Sequence, residues 1–490
     1  MNASTVVTGN QFSAADAKLR GDGNVTDNMA VGAIRFDEMD TGIPEISRAA
    51  NRVDPYWGRL WLPGSQAVWQ NALDLANARA PREGVDNFGP GPRALGPSED
   101  IDITSWLERP AKRSSRLAAL SAIDSWRTIT GEQICAITGS KEFARPYPRN
   151  LVGRFFHAGL IDIGTFPRTF TSSPTRIFRP SPTNSFKRVL APYLTGPEAI
   201  AVHGGYGWSS GQQYNRHNVL ATELGLRAAE FTGMTPLGEK FASVDLLTGT
   251  GLGKPAVRAH GKTGDAVLIR EDGMRYVVEI NASSTNDLES KIERWAKALH
   301  DNPLETSGLM VIFVVAAHPD VHSRGNSPTA VMTATRKRMA KVLRRYPSFS
   351  PDAPANRMGV VAWHDWFPCR HAFSTAFLEG TCDIFDSLTQ KWSTRDMFMD
   401  VDFDPWEGFN ATTVLTQAQV IGSTPHWMRT TPAGDVLGLP SQRMNMPCPS
   451  LGPAKNTGIG MALNATVGPT RPPARLHDPL GVGAPVRALR

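Results

Sequence analysis

The chain has 490 residues, of which 41% are hydrophobic and 20% charged, and its formal net charge is +6. This composition is typical of a folded protein with two to four domains, and the mild basic excess is compatible with a nucleic-acid partner. The longest apolar run has nine residues, the N-terminus lacks a signal-peptide pattern and the four cysteines are scattered, so we expect a cytoplasmic protein without a membrane partner.

Residues 1–111 are predicted to be an acidic N-terminal region that ends in a linker. The first hundred residues carry nine basic and thirteen acidic side chains, whereas residues 101–200 carry fourteen basic and seven acidic ones. The stretch 80–98 is rich in glycine and proline, as linkers are. The change of sign indicates two functional regions. The sequence leaves open whether residues 1–111 fold alone or pack on the later domains.

Residues 112–182 show the order of secondary structure found in a winged helix-turn-helix domain. Apolar residues recur every third position from 116 to 126 and predict a first helix. Thr130 and Gln133 match a capping box, which predicts that a second helix begins there. The remaining predicted elements are a third helix and two strands, at 146–159, 160–166 and 175–179. In a winged helix the third helix enters the major groove of DNA and the hairpin touches its backbone.

Several polar side chains of this region are candidates for contacts with double-stranded DNA. They are Arg145, Arg149, Asn150 and Arg154 of the third helix and Arg168 at the tip of the hairpin. Arginine and asparagine pair with guanine and adenine edges, and any arginine can bind a phosphate. The alternative is that these arginines form the solvated face of a helical module that binds proteins or dimerises.

Residues 195–370 change to the pattern of a mixed α/β domain. Predicted helices and strands succeed one another at 214–231, 265–270, 274–280, 288–300, 309–317, 333–346 and 358–363. The run 309–317 is almost continuously apolar, as in a strand buried on both faces. The order helix, hairpin, helix, strand and helix is typical of a mixed α/β sheet.

The predicted hairpin carries two carboxylates whose meeting depends on the length of its loop. Asp265 begins the first strand and Glu279 lies near the end of the second. A two-residue loop, Asp272-Gly273, would turn them to opposite faces. A three-residue loop that begins at Glu271, with Gly273 left-handed, would pair position 265 with position 279. A metal-dependent nuclease needs carboxylates that converge on a hard divalent cation, so the functional interpretation requires the longer loop.

Short motifs of the middle region occur in a recognisable order. They are Tyr214 to His217, Glu223, Asp265, Val278 to Asn281, Ser284-Thr285 and Lys291. In this order they resemble the replication-relaxation proteins of bacterial plasmids, phages and integrative elements. The resemblance covers 115–370 and implies a winged helix followed by a PD-(D/E)xK-like nuclease domain.

The resemblance also implies roles for single residues. Glu223, Asp265 and Glu279 would be the catalytic acids and would hold Mg²⁺. Asn281 stands where the (D/E)xK motif has its lysine, so Lys291 of the following helix would supply the positive charge. With these residues the protein would nick DNA during replication, relaxation or transfer of a mobile element.

Two other interpretations stay open. One is a non-catalytic winged-helix regulator or accessory protein, with a degenerate nuclease domain, that recruits replication or transfer machinery. The other is a structural or assembly protein that uses the winged helix for protein contacts. Binding to duplex DNA that weakens with salt is expected of the first and not of the second.

The C-terminal part is predicted to consist of a helical extension, 371–420, and a disordered basic tail, 421–490. The last seventy residues contain eleven prolines and nine glycines, a fraction typical of disordered segments, with seven basic side chains against two acidic ones. The expected fold class is multidomain α+β: a winged helix-turn-helix, a mixed α/β PD-(D/E)xK-like domain, and a Pro/Gly-rich tail.

Overall fold

The described part of the chain is a mixed α/β structure. In the computed structural model the described residues are 32–57, 67–71, 110–144, 151–165, 176–181, 186–204, 208, 215–242, 264–285, 287–303, 306–317, 325–399, 415 and 418–429. Within these ranges the strands form sheets of two, four and seven members. In the same ranges no helix combines the length and the apolar character needed to cross a bilayer.

The strands, numbered in chain order, are β1 (Ile34–Arg35), β2 (Val68–Gln70), β3 (Ile129–Thr130), β4 (Ile161–Thr165), β5 (Arg176–Pro180), β6 (Thr235–Gly238), β7 (Ala266–Ile269), β8 (Arg275–Asn281), β9 (Leu309–Val315), β10 (Met358–Ala362), β11 (Ala372–Phe373), β12 (Thr381–Asp386) and β13 (Lys391–Asp396). The α-helices are α1 (Pro110–Trp126), α2 (Gly131–Thr138), α3 (Leu151–His157), α4 (Gly196–His203), α5 (Asn215–Phe231), α6 (Asp287–Asp301), α7 (Pro328–Leu343), α8 (Pro354–Arg357), α9 (Trp363–Trp366) and α10 (Thr375–Glu379). Single 3-10 or π turns lie at Phe36–Glu38, Glu45–Ser47, Ala49–Asn51, Lys141–Ala144, Phe186–Leu190, Ala191–Tyr193, Glu239–Phe241 and Met397–Met399.

The first module combines α1, α2 and α3 with a four-stranded antiparallel sheet of order β2-β4-β5-β3. The apolar stripe of α1 is buried, including Leu120 and Trp126. The capping box expected at Thr130 is present, because the Thr130 hydroxyl accepts the backbone N–H of Gln133 and the Gln133 side chain accepts that of Thr130. Helix α2 then ends at Gly139, whose φ of 68° suits a residue without a Cβ.

The outer strand of this sheet comes from the N-terminal region. Strand β2 pairs with β4, and Trp69 lies directly over Gly164. The guanidinium of Arg179 stacks on the Trp69 ring at 4.3 Å. A Cβ at position 164 would lie 2.6 Å from the indole, so glycine lets the strand and the ring approach each other.

The larger sheet has the order β13-β12-β10-β9-β8-β7-β6. Strands β8, β9 and β10 run parallel, and the remaining neighbours are antiparallel. Successive residues of β8 face opposite sides, since side chains alternate along a strand. Val277 therefore belongs to the core under α6, with Ile292 and Trp295, whereas Val278 belongs to the core under α5.

The hairpin between β7 and β8 has the longer of the two expected loops. Ala266 lies opposite Val278 and Ile269 opposite Arg275, so the register continues to residues 265 and 279. The N–H of Arg270 donates to the carbonyl of Met274, which leaves a loop of three residues. Gly273 in this loop has a φ of 91°, the left-handed conformation that such a loop requires.

The two modules share one buried core, and the N-terminal segment 32–57 binds to both. A single cluster of buried side chains contains members from α1, α2, α5 and the central strands. The Tyr56 hydroxyl donates to the Ala317 carbonyl and the Trp57 indole to the Phe367 carbonyl. Strand β1 pairs with β11. The acidic N-terminal region therefore packs on the later modules in the part that is described.

The segment predicted as a helical extension, 371–420, is different in structure. Its described residues are 371–399, 415 and 418–420. They contain the short helix α10 and helical residues at 415 and 418–420, but also a hairpin, β12–β13, that extends the large sheet. Asp386 ends β12 by accepting the N–H groups of Leu388 and Thr389, a turn-forming use of a short carboxylate. On the side away from β9, the backbone N–H and C=O groups of strand β10 need hydrogen-bond partners. A neighbouring strand can pair with them and a helix cannot, so β12 forms at this position.

The predicted tail, 421–490, also begins differently. Residues 421–429 pack on the protein: Ile421 and Thr424 are buried, and the N–H of His426 donates to the Ile137 carbonyl. The high proline and glycine content is an average over seventy residues, so it does not show that the first nine residues pack against the protein. Residues 430–490 lie outside the described part of the chain.

Close packing where α5 crosses α1 and β6 generates a first prediction. A Cβ at Gly225 would lie 2.7 Å from the Trp126 ring and 3.1 Å from Pro236 Cβ. Alanine normally stabilises a helix interior by roughly 0.5–1 kcal/mol relative to glycine. We expect Gly225→Ala instead to lower the free energy of unfolding by about 1–3 kcal/mol, because the packed core cannot accept the methyl group. Urea denaturation measures the change, and equal or higher stability would contradict the packing.

Candidate functional site

Asp265 and Glu279 meet at one end of the β7–β8 hairpin, as the three-residue loop requires. The N–H of Asp265 donates to the Val278 carbonyl at 2.8 Å, which continues the ladder to this position. The Asp265 carboxylate accepts the backbone N–H of Ile280 at 2.6 Å. Val267 and Val277 pair with each other and belong to the core under α6. Asp265 lies two residues before Val267, and Glu279 lies two residues after Val277. Because side chains alternate along a strand, both acids face α6 as well.

Two side chains of helix α6 bind the Glu279 carboxylate. The Lys291 ammonium forms an ion pair with Glu279 and lies 3.9 Å from Asp265 Oδ2. One turn further along, the Trp295 indole N–H donates to Glu279 Oε1 at 2.6 Å. Residues four apart share a helix face, so Lys291 and Trp295 together engage both oxygens of Glu279. Lys291, the residue expected to supply the positive charge in place of Asn281, thus lies beside both carboxylates.

Burial and neighbouring charges set the protonation of this cluster. Burial raises the pKa of Glu279 to about 7, the Lys291 charge opposes the shift, and the Asp265 charge adds to it. Burial lowers the pKa of Lys291, but the charges of Glu279 and Asp265 outweigh burial and the net shift is upward. The lysine is therefore a permanent cation beside two carboxylates.

Three more polar side chains approach the same cluster, and two of them were not predicted. Burial lowers the pKa of His217 to about 4, against the opposing charge of Asp265, so its imidazole is neutral. Burial also raises the pKa of Glu239, and the Asp265 charge adds to the rise. Asn218 holds Glu239 through a hydrogen bond of 2.6 Å. Glu239 was not predicted because β6, the strand before it, is only four residues long. Asn218 lies on the predicted helix at 214–231, but its sequence gives no sign that it binds Glu239.

Glu223, predicted as the third acid, lies in a different cluster. It pairs with Arg52 at 3.0 Å and with Arg227 at 3.2 Å, and it accepts a hydrogen bond from Gln133. From His217 to Glu223 the helix rises about 9 Å and turns by about 600°, that is, to another face. The structure therefore brings together Asp265, Glu279 and Lys291 but not Glu223.

The predicted DNA-binding residues fall mostly outside the described chain. Those outside are Arg145, Arg149, Asn150 and Arg168. Arg154 lies on α3 and is exposed. The third helix is thus present from residue 151, and it offers one predicted arginine to solvent.

The arrangement does not fit the expected Mg²⁺ site. Over the described ranges, no group of three or more His, Cys, Asp or Glu side chains is arranged to hold a metal ion. Both oxygens of Glu279 are engaged by Lys291 and Trp295, and one oxygen of Asp265 accepts a backbone N–H. A hard divalent cation needs free carboxylate oxygens, so we derive no reaction step through one.

Comparisons with family models, with curated proteins and with solved structures found no match for this chain.

The contact between Trp295 and Glu279 makes the protonation of Glu279 observable. We expect the Trp295 indole N–H proton resonance to move downfield as pH rises, with a midpoint near 7, because an ionised carboxylate accepts a stronger hydrogen bond. Proton NMR over a pH series measures this, and loss of the signal in Trp295→Phe assigns it. Glu279→Gln is the control and should give a flat curve. A midpoint near 4.3, about that of an exposed glutamate, would contradict the buried pair.

Proposed function

We propose that this protein binds double-stranded DNA through the module at 112–182, and that its larger α/β domain is a nuclease-like domain that holds DNA without cleaving it. The observation that carries the proposal is the order of elements in the first module. The chain runs α1, β3, α2, α3, β4 and β5, and β3 pairs with β5. A third helix beside a two-stranded hairpin is the arrangement with which winged helices enter the major groove.

Two features support DNA as the partner of this module. The stretch 101–200 has twice as many basic as acidic residues, and a basic stretch attracts the phosphate backbone. Arg154 on α3 is exposed, where an arginine can bind a phosphate or a guanine edge.

The cluster of Asp265, Glu279 and Lys291, called the acid–lysine cluster below, supports a larger domain that does not cleave DNA. Asp265 and Glu279 stand opposite each other, as in the nuclease-like interpretation, but Lys291 lies between them and is paired with Glu279. The proposed context, which comes from the resemblance to replication-relaxation proteins, is replication, relaxation or transfer of a mobile element. In that context the protein would recruit replication or transfer machinery to its DNA site.

Salt-dependent binding tests the DNA proposal. We expect the purified full chain to shift duplex DNA in a gel, with an affinity that falls as salt rises because bound counterions are released from the phosphates. Arg154→Ala should weaken binding by about 1–3 kcal/mol, or roughly 5- to 150-fold, if it contacts a base edge. Lys297→Ala, which removes one exposed positive charge from α6, is the control. Equal losses in both variants would contradict a role for α3.

A second candidate function is metal-dependent nicking of DNA. The specific observation in its favour is that the hairpin register aligns Asp265 with Glu279 and that Lys291 supplies the charge absent at Asn281.

Supercoiled plasmid separates the two candidates. With Mg²⁺ or Mn²⁺ we expect the wild-type protein to leave the plasmid supercoiled, because Lys291 already occupies the position between its two carboxylates. Nicked or linear product that disappears in both Asp265→Asn and Glu279→Gln would replace the binding-only proposal with the nuclease. Product that persists in both variants would indicate a contaminating nuclease.

A further inference from the structure

The acid–lysine cluster contains more carboxylates than its lysine balances. Asp265 and Glu279 contact Lys291 directly, and Glu239 lies close enough for its charge to raise the pKa of Lys291. His217, which also faces the cluster, is neutral. The charge of Arg127 lowers the pKa of Glu239, so this third carboxylate also interacts with a cation other than Lys291. Asp265 and Glu279 thus share one ammonium group.

We propose that the Lys291 ammonium is a built-in cation that takes the place of a divalent metal ion between Asp265 and Glu279, and that removing it opens a divalent-cation site. The residues then do not fit Mg²⁺ because the Lys291 side chain already occupies the position between the two carboxylates. The inference depends on the geometry of the cluster and not on whether the protein binds DNA.

The chemistry of the two cations explains why one can replace the other. Mg²⁺ and Mn²⁺ bind carboxylate oxygens, and an ammonium group donates hydrogen bonds to the same oxygens. The ammonium carries one positive charge, whereas Asp265 and Glu279 supply two carboxylates. Without Lys291 the carboxylates would share a proton or attract a cation.

The cluster is also accessible to an ion. The Glu279 side chain is 1% exposed, but those of Asp265 and Lys291 are 11% and 26% exposed. The lysine therefore enters the cluster from its solvent side. Shortening or neutralising this side chain would leave a space that connects the carboxylates to solvent.

Manganese binding by the full-length protein tests the proposal. Loss of the free Mn²⁺ signal in electron paramagnetic resonance measures binding to the wild type, to Lys291→Met and to Lys297→Met. The last variant removes a lysine on the same helix that pairs with Asp301 at the surface. We expect Lys291→Met to bind one Mn²⁺ at least about tenfold more tightly than the other two, because a binding site gains affinity with its net negative charge. Adding Glu279→Gln or Asp265→Asn to Lys291→Met should abolish the gain.

Thermal unfolding keeps the test decisive if Lys291→Met folds poorly. Two buried carboxylates without a partner destabilise the fold, and an ion that binds only the folded state restores stability. We expect Mn²⁺ to raise the Tm of Lys291→Met, or to restore folding during dilution from urea, and to leave the Tm of the wild type unchanged.

Three results would overturn the proposal. The first is a folded Lys291→Met that binds Mn²⁺ no better than Lys297→Met. The second is a wild type that binds one Mn²⁺ and loses it in Asp265→Asn. The third is a Lys291→Met that stays unfolded with and without Mn²⁺ while Lys291→Gln folds and binds none. DNA affinity is measured separately, so a failed DNA-binding proposal leaves this result interpretable.

Discussion

The pairing of Arg52 with Glu223 deep in the protein is the interaction that ties its parts together. Both side chains are 1% exposed, and a charge buried to this extent is tolerated only with a partner. Burial alone would raise the pKa of Glu223, but the guanidinium groups of Arg52 and Arg227 outweigh it and hold this pKa below its usual value. Because Arg52 comes from the N-terminal segment and Glu223 from α5, this pair joins the two elements.

The same network reaches the first module. Gln133 of α2 donates to Glu223, and Glu132 accepts the backbone N–H of Val53. On the other side, Arg227 pairs with Asp54 at 2.9 Å. The N-terminal segment thus lies between α2 and α5 and is fixed to both by buried charge. The module proposed to bind DNA and the sheet that carries the acid–lysine cluster are consequently held as one body by contacts that neither could make alone.

The acid–lysine cluster depends on a separate local constraint, the left-handed Gly273. This residue sets a three-residue loop, the loop sets the register, and the register places Asp265 opposite Glu279. Helix α6 then brings Lys291 over the pair, since the apolar face that includes Trp295 must pack on the sheet. The result is a pair of facing acids with a protein cation between them.

The sequence by itself determined the local elements and the short-range chemistry of this protein. The apolar period of α1, the capping box at Thr130, the run that forms β9 and the loop that ends at Gly273 are all encoded in neighbouring residues, and the structure contains each of them. The sequence left two loop lengths open between β7 and β8, and predicted that Asp265 and Glu279 would align only with the three-residue loop. The structure has that loop.

Only the tertiary structure decided which distant groups meet. The partner of Glu223 is Arg52, which lies 171 residues away, and no local pattern identifies such a pair. Glu239 joins the cluster, and residues 381–396 form strands, because each packs against elements far along the chain. The burial of residues 421–429 has the same origin. Long-range burial and charge compensation depend on which surfaces come together, and the pattern of neighbouring residues contains no information about that.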